Sequence, residues 1–311
     1  MIRRVAAVAA LGACVLAVAS CAGAAAPVAA PITPSARVGA ATKVMVVVEE
    51  NRAYSEVADS PEAGYLDELS RTYGAATNYH AGYPGNCPSL PGYLLLTSGT
   101  DHGVCDDDGP QKHPIGGDNL FRQVATAGQQ WRVYAQSMPA PCTRENAGAY
   151  LVRHTAVPYY ESERVRCATW DLPMGTSAAG ALHDDVTAGS LPAFSLVVPD
   201  ACNDMHGGHG CPDDHLVGRG DGWLKEWLPA VLAAPDYRAG RLVVIVTWDE
   251  SSSHEDNNHV PTIVISPTTS HVRDTAPESH CTTLGTVEEV LHLPALGCAA
   301  TVSPSTARFH L

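Results

Sequence analysis

Two apolar runs, far apart in the chain, each lead into a pair of oxygen-bearing side chains. The runs cover residues 43–48 and 241–248 and are rich in valine, which is typical of buried strands in a parallel sheet. Open α/β sheets bind ligands beyond the carboxyl ends of their strands. Oxygen ligands at two such ends predict a cation site and hydrolytic chemistry. The side chains concerned are Glu50 and Asn51 after the first run, and Asp249 and Glu250 after the second.

Segments with strand character alternate with amphipathic segments along the chain. This alternation predicts an α/β fold, a three-layer α/β/α sandwich with a mostly parallel central sheet. Strands are predicted at residues 43–48, 75–79, 131–136, 193–198, 242–248 and 261–266. Helices are predicted at residues 61–71, 89–96, 118–127 (capped by Asp118), 221–232 (capped by Asp221) and 283–293.

The N-terminus has the pattern of an export signal. Arg3 and Arg4 precede an apolar stretch over residues 5–18, and small residues then lead to Cys21. This predicts a signal peptide over residues 1–20 with a lipobox, so that Cys21 would carry the membrane anchor of an extracellular or cell-surface protein. Ordinary secretion with cleavage nearby is the alternative, and a twin-arginine signal is a poorer match. Residues 21–41 are predicted to form an Ala/Pro-rich tether, followed by a single domain over residues 42–311.

Cysteine usage agrees with export. The chain has 10 cysteines, and Cys14 and Cys21 fall in or next to the signal. The remaining eight permit about 105 pairings, which the sequence does not resolve. A zinc cluster is the alternative, but no closely spaced cysteine pair supports it. Spacing favours four local disulfides, namely Cys87–Cys105, Cys142–Cys167, Cys202–Cys211 and Cys281–Cys298.

The charge of the chain restricts its partners. The formal net charge is −14 with histidine neutral, and no basic stripe is visible, so nucleic acid is not expected as a partner. A small phosphate ester remains possible where a metal ion offsets its charge. The oligomeric state is left open by the sequence.

The four strand-end side chains are predicted metal ligands. Carboxylate and amide oxygens are hard ligands that suit Mg²⁺, Ca²⁺ or Mn²⁺ and are tolerated by Zn²⁺. The alternative is that these residues are solvated polar turns.

Ser89 is the candidate nucleophile. It begins the predicted helix over residues 89–96, where unpaired backbone N–H groups and the helix dipole favour an anion or alkoxide. A simple capping role for the serine is the alternative. No Gly-x-Ser-x-Gly or Gly-x-x-x-x-Gly-Lys motif surrounds it.

Three histidines are candidates for phosphate contact or proton transfer. His206 lies in the segment 203–206 with Asp204, His154 follows Arg153, and His280 precedes Cys281. Each of the three also fits a structural or loop histidine. The acidic turn at residues 106–108 resembles a metal loop, but a solvated acidic turn is the favoured interpretation.

Taken in order, several segments resemble the bacterial phosphoesterase family that contains acid phosphatases and phosphatidylcholine-type phospholipases C. That family belongs to the alkaline-phosphatase-like superfamily. Three positions depart from the family pattern: Cys87 replaces a histidine or threonine, Arg153 replaces a lysine, and Thr155-Ala156 replace Asn-Pro. The resembling segments are residues 50–57, 88–99, 153–154, 158–160, 191–195, 202–206, 220–224, 247–250, 259–261 and 280–290.

The resemblance implies a catalytic site and a reaction. Ser89 would be the nucleophile and a ligand of one divalent metal, together with Glu50, Asn51, Asp249 and Glu250. The phosphate and leaving-group site would be lined by His154, Asp204, His206 and His280. The predicted function is metal-dependent hydrolysis of phosphate esters through phosphoserine, as in an acid-phosphatase-like phosphomonoesterase. A phospholipase C and a non-catalytic metal-dependent surface lipoprotein are the alternatives.

Overall fold

The computed structural model describes residues 40–58, 60–83, 86–252 and 256–311. The predicted signal peptide, Cys21 and all but the last residues of the predicted tether lie outside these ranges. Within them, no helix is long and apolar enough to cross a membrane.

Ten strands are present in the described part of the chain. They are β1 (Lys43–Glu49), β2 (Gly74–Ala76), β3 (Tyr79–His80), β4 (Trp131–Ala135), β5 (Asp171–Pro173), β6 (Phe194–Val198), β7 (Leu242–Trp248), β8 (Thr262–Ile265), β9 (Val272–Asp274) and β10 (Glu278–Ser279). Eight of them form one sheet in the order β5-β4-β6-β1-β7-β8-β2-β9, and β3 pairs with β10 separately.

The central sheet is parallel except for one strand. Strand β8 runs antiparallel to both of its neighbours, β7 and β2, and every other pair in the sheet is parallel. The residues of β6 and β7 are buried along their whole length. Strands buried on both faces require helices above and below the sheet. The predicted α/β/α architecture is therefore confirmed.

Ten α-helices connect and cover the strands in the described residues. They are α1 (Tyr54–Val57), α2 (Gly64–Thr72), α3 (Ser89–Ser98), α4 (Leu120–Thr126), α5 (Cys167–Trp170), α6 (Ala181–Ala188), α7 (Leu216–Ala233), α8 (Pro235–Arg238), α9 (His280–Leu291) and α10 (Thr306–Phe309). Short 3₁₀ turns occur at Val152–His154, Val157–Tyr159, Glu161–Glu163 and Gly297–Thr301.

Both predicted aspartate caps are wrong. Helix α4 is capped by Asn119, whose Oδ1 accepts a 2.9 Å hydrogen bond from Arg122 N. Helix α7 begins five residues before Asp221, so that this aspartate lies inside the helix. Its carboxylate instead accepts hydrogen bonds from the first backbone N–H groups of α2, at 3.1 Å from Tyr65 and 2.8 Å from Leu66. Asp221 thus caps a neighbouring helix.

Other boundaries differ by a few residues. The predicted strand over residues 75–79 is divided into β2 and β3, which belong to different sheets. The last long helix, α9, begins at His280, where Thr282 Oγ1 accepts a 3.1 Å hydrogen bond from the N–H of the N-cap residue Ser279.

The four predicted disulfides are confirmed. Cys87–Cys105, Cys142–Cys167, Cys202–Cys211 and Cys281–Cys298 are bonded, with Cα–Cα distances of 4.7 to 5.5 Å. A set of disulfides is typical of a protein that folds in an oxidising, exported compartment.

Candidate active site

The carboxyl ends of β4, β6, β1 and β7 lie side by side in the sheet. In the register of the central pair, Glu49 lies opposite Trp248, so the residues after the two strands meet at one edge. Backbone hydrogen bonds hold this edge together, from Asp249 N to Glu49 O at 3.1 Å and from Glu50 N to Asp204 O at 2.7 Å. Three loops therefore converge at one place.

Ser89 lies at the centre of this edge. Its Oγ donates a 2.9 Å hydrogen bond to Glu50 Oε2 and lies 3.4 Å from Glu250 Oε1. The side chain is buried, and the N-cap position of α3 is occupied by Pro88. The hydroxyl is thus directed at carboxylates from two different strands, and a simple capping role does not describe it.

Asn51 connects the ends of β1 and β7. Its backbone N–H donates to Asp249 Oδ1 at 3.1 Å, and its Nδ2 lies 3.4 Å from Glu250 Oε1. The residue has a φ of 43°, a left-handed conformation that asparagine tolerates better than most residues. This turn brings the side chain back over the edge of the sheet.

His154 approaches Glu50 from the 3₁₀ turn Val152–His154. Its Nε2 lies 2.9 Å from Glu50 Oε1, and its Nδ1 lies 3.8 Å from Asp204 Oδ2. The imidazole stacks on Tyr93 with ring centroids 5.2 Å apart. Burial lowers the pKa of His154, although Glu50 acts in the opposite direction.

The carboxylates differ in their acidity. Burial opposes ionisation of Glu50, yet the attraction of His154 and Arg153 lowers its pKa to about 2. Burial raises the pKa of Asp249 well above its usual range, and repulsion from Glu50 adds to the effect. Burial and Glu50 raise the pKa of Glu250 to about 8 in the same way. Negative charge is therefore in excess at this edge.

His206 and His280 occupy less direct positions. His206 is half-buried; its backbone N–H donates to Asp204 Oδ1 at 2.8 Å, and its Nδ1 lies 2.9 Å from Gly207 O. His280 is fully buried behind Asp249, with Nε2 2.7 Å from Asp249 O and Nδ1 2.9 Å from Tyr79 Oη. Since both ring nitrogens of His280 have partners in the fold, its geometry is that of a positioning residue.

The acidic turn at residues 106–108 contains a residue that sequence reasoning missed. Asp106 is exposed beside His113, and Asp108 pairs with Lys112. Asp107 instead turns inward, where its Oδ1 accepts a 3.0 Å hydrogen bond from Leu90 N and its Oδ2 lies 3.0 Å from Arg153 Nε. The signal that points to it is the disulfide Cys87–Cys105, which joins this turn to the start of α3.

The start of α3 offers few free donors to a phosphate. Asp107 occupies the N–H of Leu90, and Pro88 and Pro91 have none. Anion binding here would therefore depend on Arg153 and His154 more than on the helix dipole.

The donor atoms fit a divalent cation. Asp249 Oδ2 and Asp204 Oδ2 are buried and make no hydrogen bond to a described residue, whereas Glu50 Oε1 is paired with His154 Nε2 at 2.9 Å. Buried polar atoms without partners are destabilising. Several carboxylate oxygens in one place form the ligand set of a hard cation, so the residues present are suited to hold one.

The fold is shared with the alkaline phosphatase superfamily. A protein of that superfamily from Vibrio parahaemolyticus has a TM-score of 0.56 and 11% identity, covering 87% of this chain and 72% of that one. The C-terminal periplasmic domain of EcEptC from Escherichia coli, solved in complex with Zn, has a TM-score of 0.51 and 10% identity, covering 83% and 84%.

The family follows from the sequence comparisons. The model of the Phosphoesterase family matches residues 58–294. A phosphatidylinositol-3-phosphatase of Mycobacterium tuberculosis (strain ATCC 25618 / H37Rv) is 30% identical over 269 residues, which are 85% of this chain and 81% of the relative. The chain therefore belongs to the Phosphoesterase family and is a phosphoric ester hydrolase, as the sequence resemblance predicts.

Proposed function

We propose that this protein is a phosphomonoesterase in which Ser89 is the nucleophile, beside a divalent cation held by Glu50, Asn51, Asp249, Glu250 and the Ser89 oxygen. The observation that carries the proposal is the position of Ser89 Oγ, 2.9 Å from Glu50 Oε2 and 3.4 Å from Glu250 Oε1. These three residues come from distant parts of the chain. A serine with a purely structural role would not require two buried carboxylates as partners.

The cation is supported by Asp249 Oδ2, a buried oxygen that makes no hydrogen bond to a described residue, and by the buried carboxyl groups of Glu50 and Glu250 at the same edge. When bound, it would screen the charge of a phosphate ester and favour the alkoxide form of Ser89. As a ligand, Asn51 would present its amide oxygen, which requires a rotation of the amide relative to the orientation that donates to Glu250.

The chain's own residues account for the chemical steps. Glu50 accepts a hydrogen bond from Ser89 Oγ, which orients the hydroxyl, and takes up its proton as the serine attacks. A bond forms from Ser89 Oγ to phosphorus while the bond from phosphorus to the ester oxygen breaks, and the alcohol departs with a proton. His206, at the half-buried rim of the site, is the proposed donor of that proton. Water then attacks phosphorus and gives a proton to His206 while the bond from phosphorus to Ser89 Oγ breaks. Inorganic phosphate leaves, and Ser89 Oγ regains the proton held by Glu50.

We assign the stabilisation of negative charge on the phosphate to Arg153, with His154 beside it. Arg153 is held in place by Asp107, and His154 by Glu50 and the ring of Tyr93. Groups fixed in advance by such contacts stabilise developing charge without reorganisation.

A monoester is favoured over a phosphodiester as the substrate. The Mycobacterium tuberculosis relative is named for removing a phosphate from a phosphatidylinositol, which is monoester chemistry. The comparison of nitrophenyl phosphate with phosphatidylcholine as substrates distinguishes a phosphatase from a phospholipase C.

The nucleophile is tested by Ser89→Ala, with the exposed Ser55→Ala as the matched control. We expect the first variant to lose turnover of nitrophenyl phosphate by about 10⁴-fold or more, and the second to retain it. Normal turnover by a folded Ser89→Ala protein would exclude the proposed nucleophile. Wild-type protein that binds a metal but turns over no phosphoester would favour a non-catalytic surface protein.

A further inference from the structure

The disulfide Cys142–Cys167 has a buried carboxyl group beside it. Asp171, the first residue of β5, is fully buried, and its Oδ2 lies 3.6 Å from Cys167 Sγ. Its Oδ1 makes no hydrogen bond to a described residue. The backbone oxygen of Asp171 accepts a 3.0 Å hydrogen bond from Cys142 N, so the residue is held against both halves of the bridge. The proposed mechanism gives this carboxyl group no role.

The contact between Asp171 and the sulfur requires a proton on the carboxyl group. A disulfide sulfur has no hydrogen to donate, so the hydrogen in this contact comes from Asp171. Burial raises the pKa of Asp171 well above its usual range, and no charged side chain opposes that effect. Tyr150 also faces Asp171, but its hydroxyl donates to Thr143 O at 2.9 Å, and burial raises its pKa as well. Asp171 is therefore a neutral acid placed against a sulfur atom.

This arrangement distinguishes one disulfide from the other three. In the described part of the chain, no other disulfide has a carboxyl oxygen within hydrogen-bonding distance of a sulfur atom. The bridges without such a partner are Cys87–Cys105, Cys202–Cys211 and Cys281–Cys298.

The two sulfurs of this bridge differ in their access to solvent. Cys142 is half-buried, whereas Cys167 is 1% exposed. A thiolate arriving from solvent therefore meets Cys142 first. Exchange proceeds by attack on one sulfur and departure of the other, so attack at Cys142 expels the sulfur that lies next to Asp171.

We propose that Cys142 is a site of thiol–disulfide exchange with small thiols, and that Asp171 is the acid that serves the leaving sulfur of Cys167. The thiolate of the small molecule attacks Cys142 Sγ and forms a mixed disulfide there, while the bond between Cys142 and Cys167 breaks. The electron pair passes to Cys167 Sγ, which takes the proton of Asp171. A proton from solvent restores the carboxyl group, so the net step consumes one thiolate and one proton.

The exchange would act on the proposed active site through the segment between the two cysteines. These cysteines are 25 residues apart, and Arg153 and His154 lie between them. Opening the bridge removes the covalent tie between the ends of this segment, which should loosen the two side chains assigned to the phosphate. This consequence rests on the proposed phosphomonoesterase function, whereas the exchange itself does not.

The exchange is tested with reduced glutathione as the probe. It is added to the folded wild-type protein, the reaction is quenched with acid, and all four disulfides are mapped by mass spectrometry. We expect Cys142–Cys167 to open at least about tenfold faster than each of the other three. Glutathione should be attached to Cys142, with Cys167 as the free thiol. Equal rates for the four disulfides, or glutathione attached to Cys167, would overturn the proposal.

Asp171→Asn tests the acid, because it keeps the shape of the side chain and removes the acidic proton. It should slow the opening of Cys142–Cys167 by about tenfold or more. The other three disulfides are the internal control for folding, and their rates should not change. Unchanged or faster exchange at Cys142 in the folded variant would exclude Asp171 as the acid. Asp171→Ser, which is smaller and also lacks an acidic proton, gives the same comparison if Asp171→Asn does not fold.

Turnover of nitrophenyl phosphate measures the effect on the active site. It should fall by about fivefold or more as the bridge opens, and return when oxidised glutathione closes the bridge again. Full turnover by protein with an open bridge would overturn the connection to the active site. Turnover that survives Ser89→Ala would instead refute the proposed function and leave the exchange chemistry in place.

Discussion

The backbone N–H of Leu90 donates a 3.0 Å hydrogen bond to Oδ1 of Asp107. The other oxygen of the same carboxylate lies 3.0 Å from Arg153 Nε. Asp107 thus connects Leu90, which follows the proposed nucleophile Ser89, with Arg153, the positively charged side chain that would face the phosphate. The disulfide Cys87–Cys105 begins two residues before Ser89 and ends two residues before Asp107, so it holds both ends of this connection.

Asp107→Ala should therefore impair catalysis without removing a reacting group. We expect kcat/KM on nitrophenyl phosphate to fall by about tenfold to a hundredfold, because Arg153 and the start of α3 lose their common partner. The exposed Asp106→Ala is the control and should change kcat/KM by less than about twofold. Similar kinetics for the two variants would mean that Asp107 does not position the site.

His280 is predicted to act through Asp249 and not on the substrate. Its imidazole contacts Asp249 O and Tyr79 Oη, so His280→Phe should lower kcat/KM by displacing the loop that carries the proposed metal ligands Asp249 and Glu250. The shape of the pH–rate profile should stay that of the wild type, since no titrating catalytic group is removed. Loss of one limb of the profile in this variant would show that His280 transfers a proton.

The sequence predicts the sheet better than the helix ends. Strands β1 and β7 are recognisable because continuous runs of β-branched residues have few alternatives to a strand buried on both faces. The residues that cap α2 and α4 are not recognisable from the sequence, because tertiary contacts decide which polar residue acts as the cap. Asp221 is a residue type that is common at helix caps, but the helix that it caps lies 155 residues away in the chain.

The residues of the candidate site likewise fall into those that the sequence predicts and those that it does not. Glu50, Asn51, Asp249 and Glu250 are predictable because adjacent parallel strands bring their carboxyl ends to one edge. The inward turn of Asp107 depends on a disulfide partner and on Arg153, neither of which is near in the sequence. Local patterns therefore detect candidate ligands at strand ends but not the residues that would orient them.

Glu288 predicts how stability depends on pH. It lies on α9, where its Oε1 accepts a 2.8 Å hydrogen bond from Leu296 N, and burial raises its pKa to about 8 from the usual 4.5. Between these two pH values the folded protein binds more protons than the unfolded chain, so this residue makes stability fall as pH rises. Below pH 4.5 its contribution is fully present, and above about 8 it is lost.

Glu288→Gln should remove that dependence. Its free energy of unfolding should exceed that of the wild type at pH 8 by on the order of 1–3 kcal/mol, with little difference near pH 4.5. Urea denaturation at the two pH values gives the comparison, and the exposed neighbour Glu289→Gln is the control. Equal pH slopes for wild type and Glu288→Gln would show that Glu288 is ionised in the folded protein at neutral pH.

Asp249 predicts the response to metal removal. Its Oδ2 is buried and makes no hydrogen bond to a described residue, and Glu50 and Glu250 repel the carboxylate. A bound divalent cation offsets that repulsion, so chelation of wild-type protein should lower the melting temperature as well as activity.

Asp249→Asn removes one buried negative charge. The metal-free variant should be more stable than metal-free wild type by about 1–3 kcal/mol, while a divalent cation should stabilise it less than it stabilises wild type. Calorimetry with and without chelator measures both effects. If wild type melts at the same temperature in both conditions, and metal analysis finds no ion in the purified protein, these carboxylates do not form a cation site.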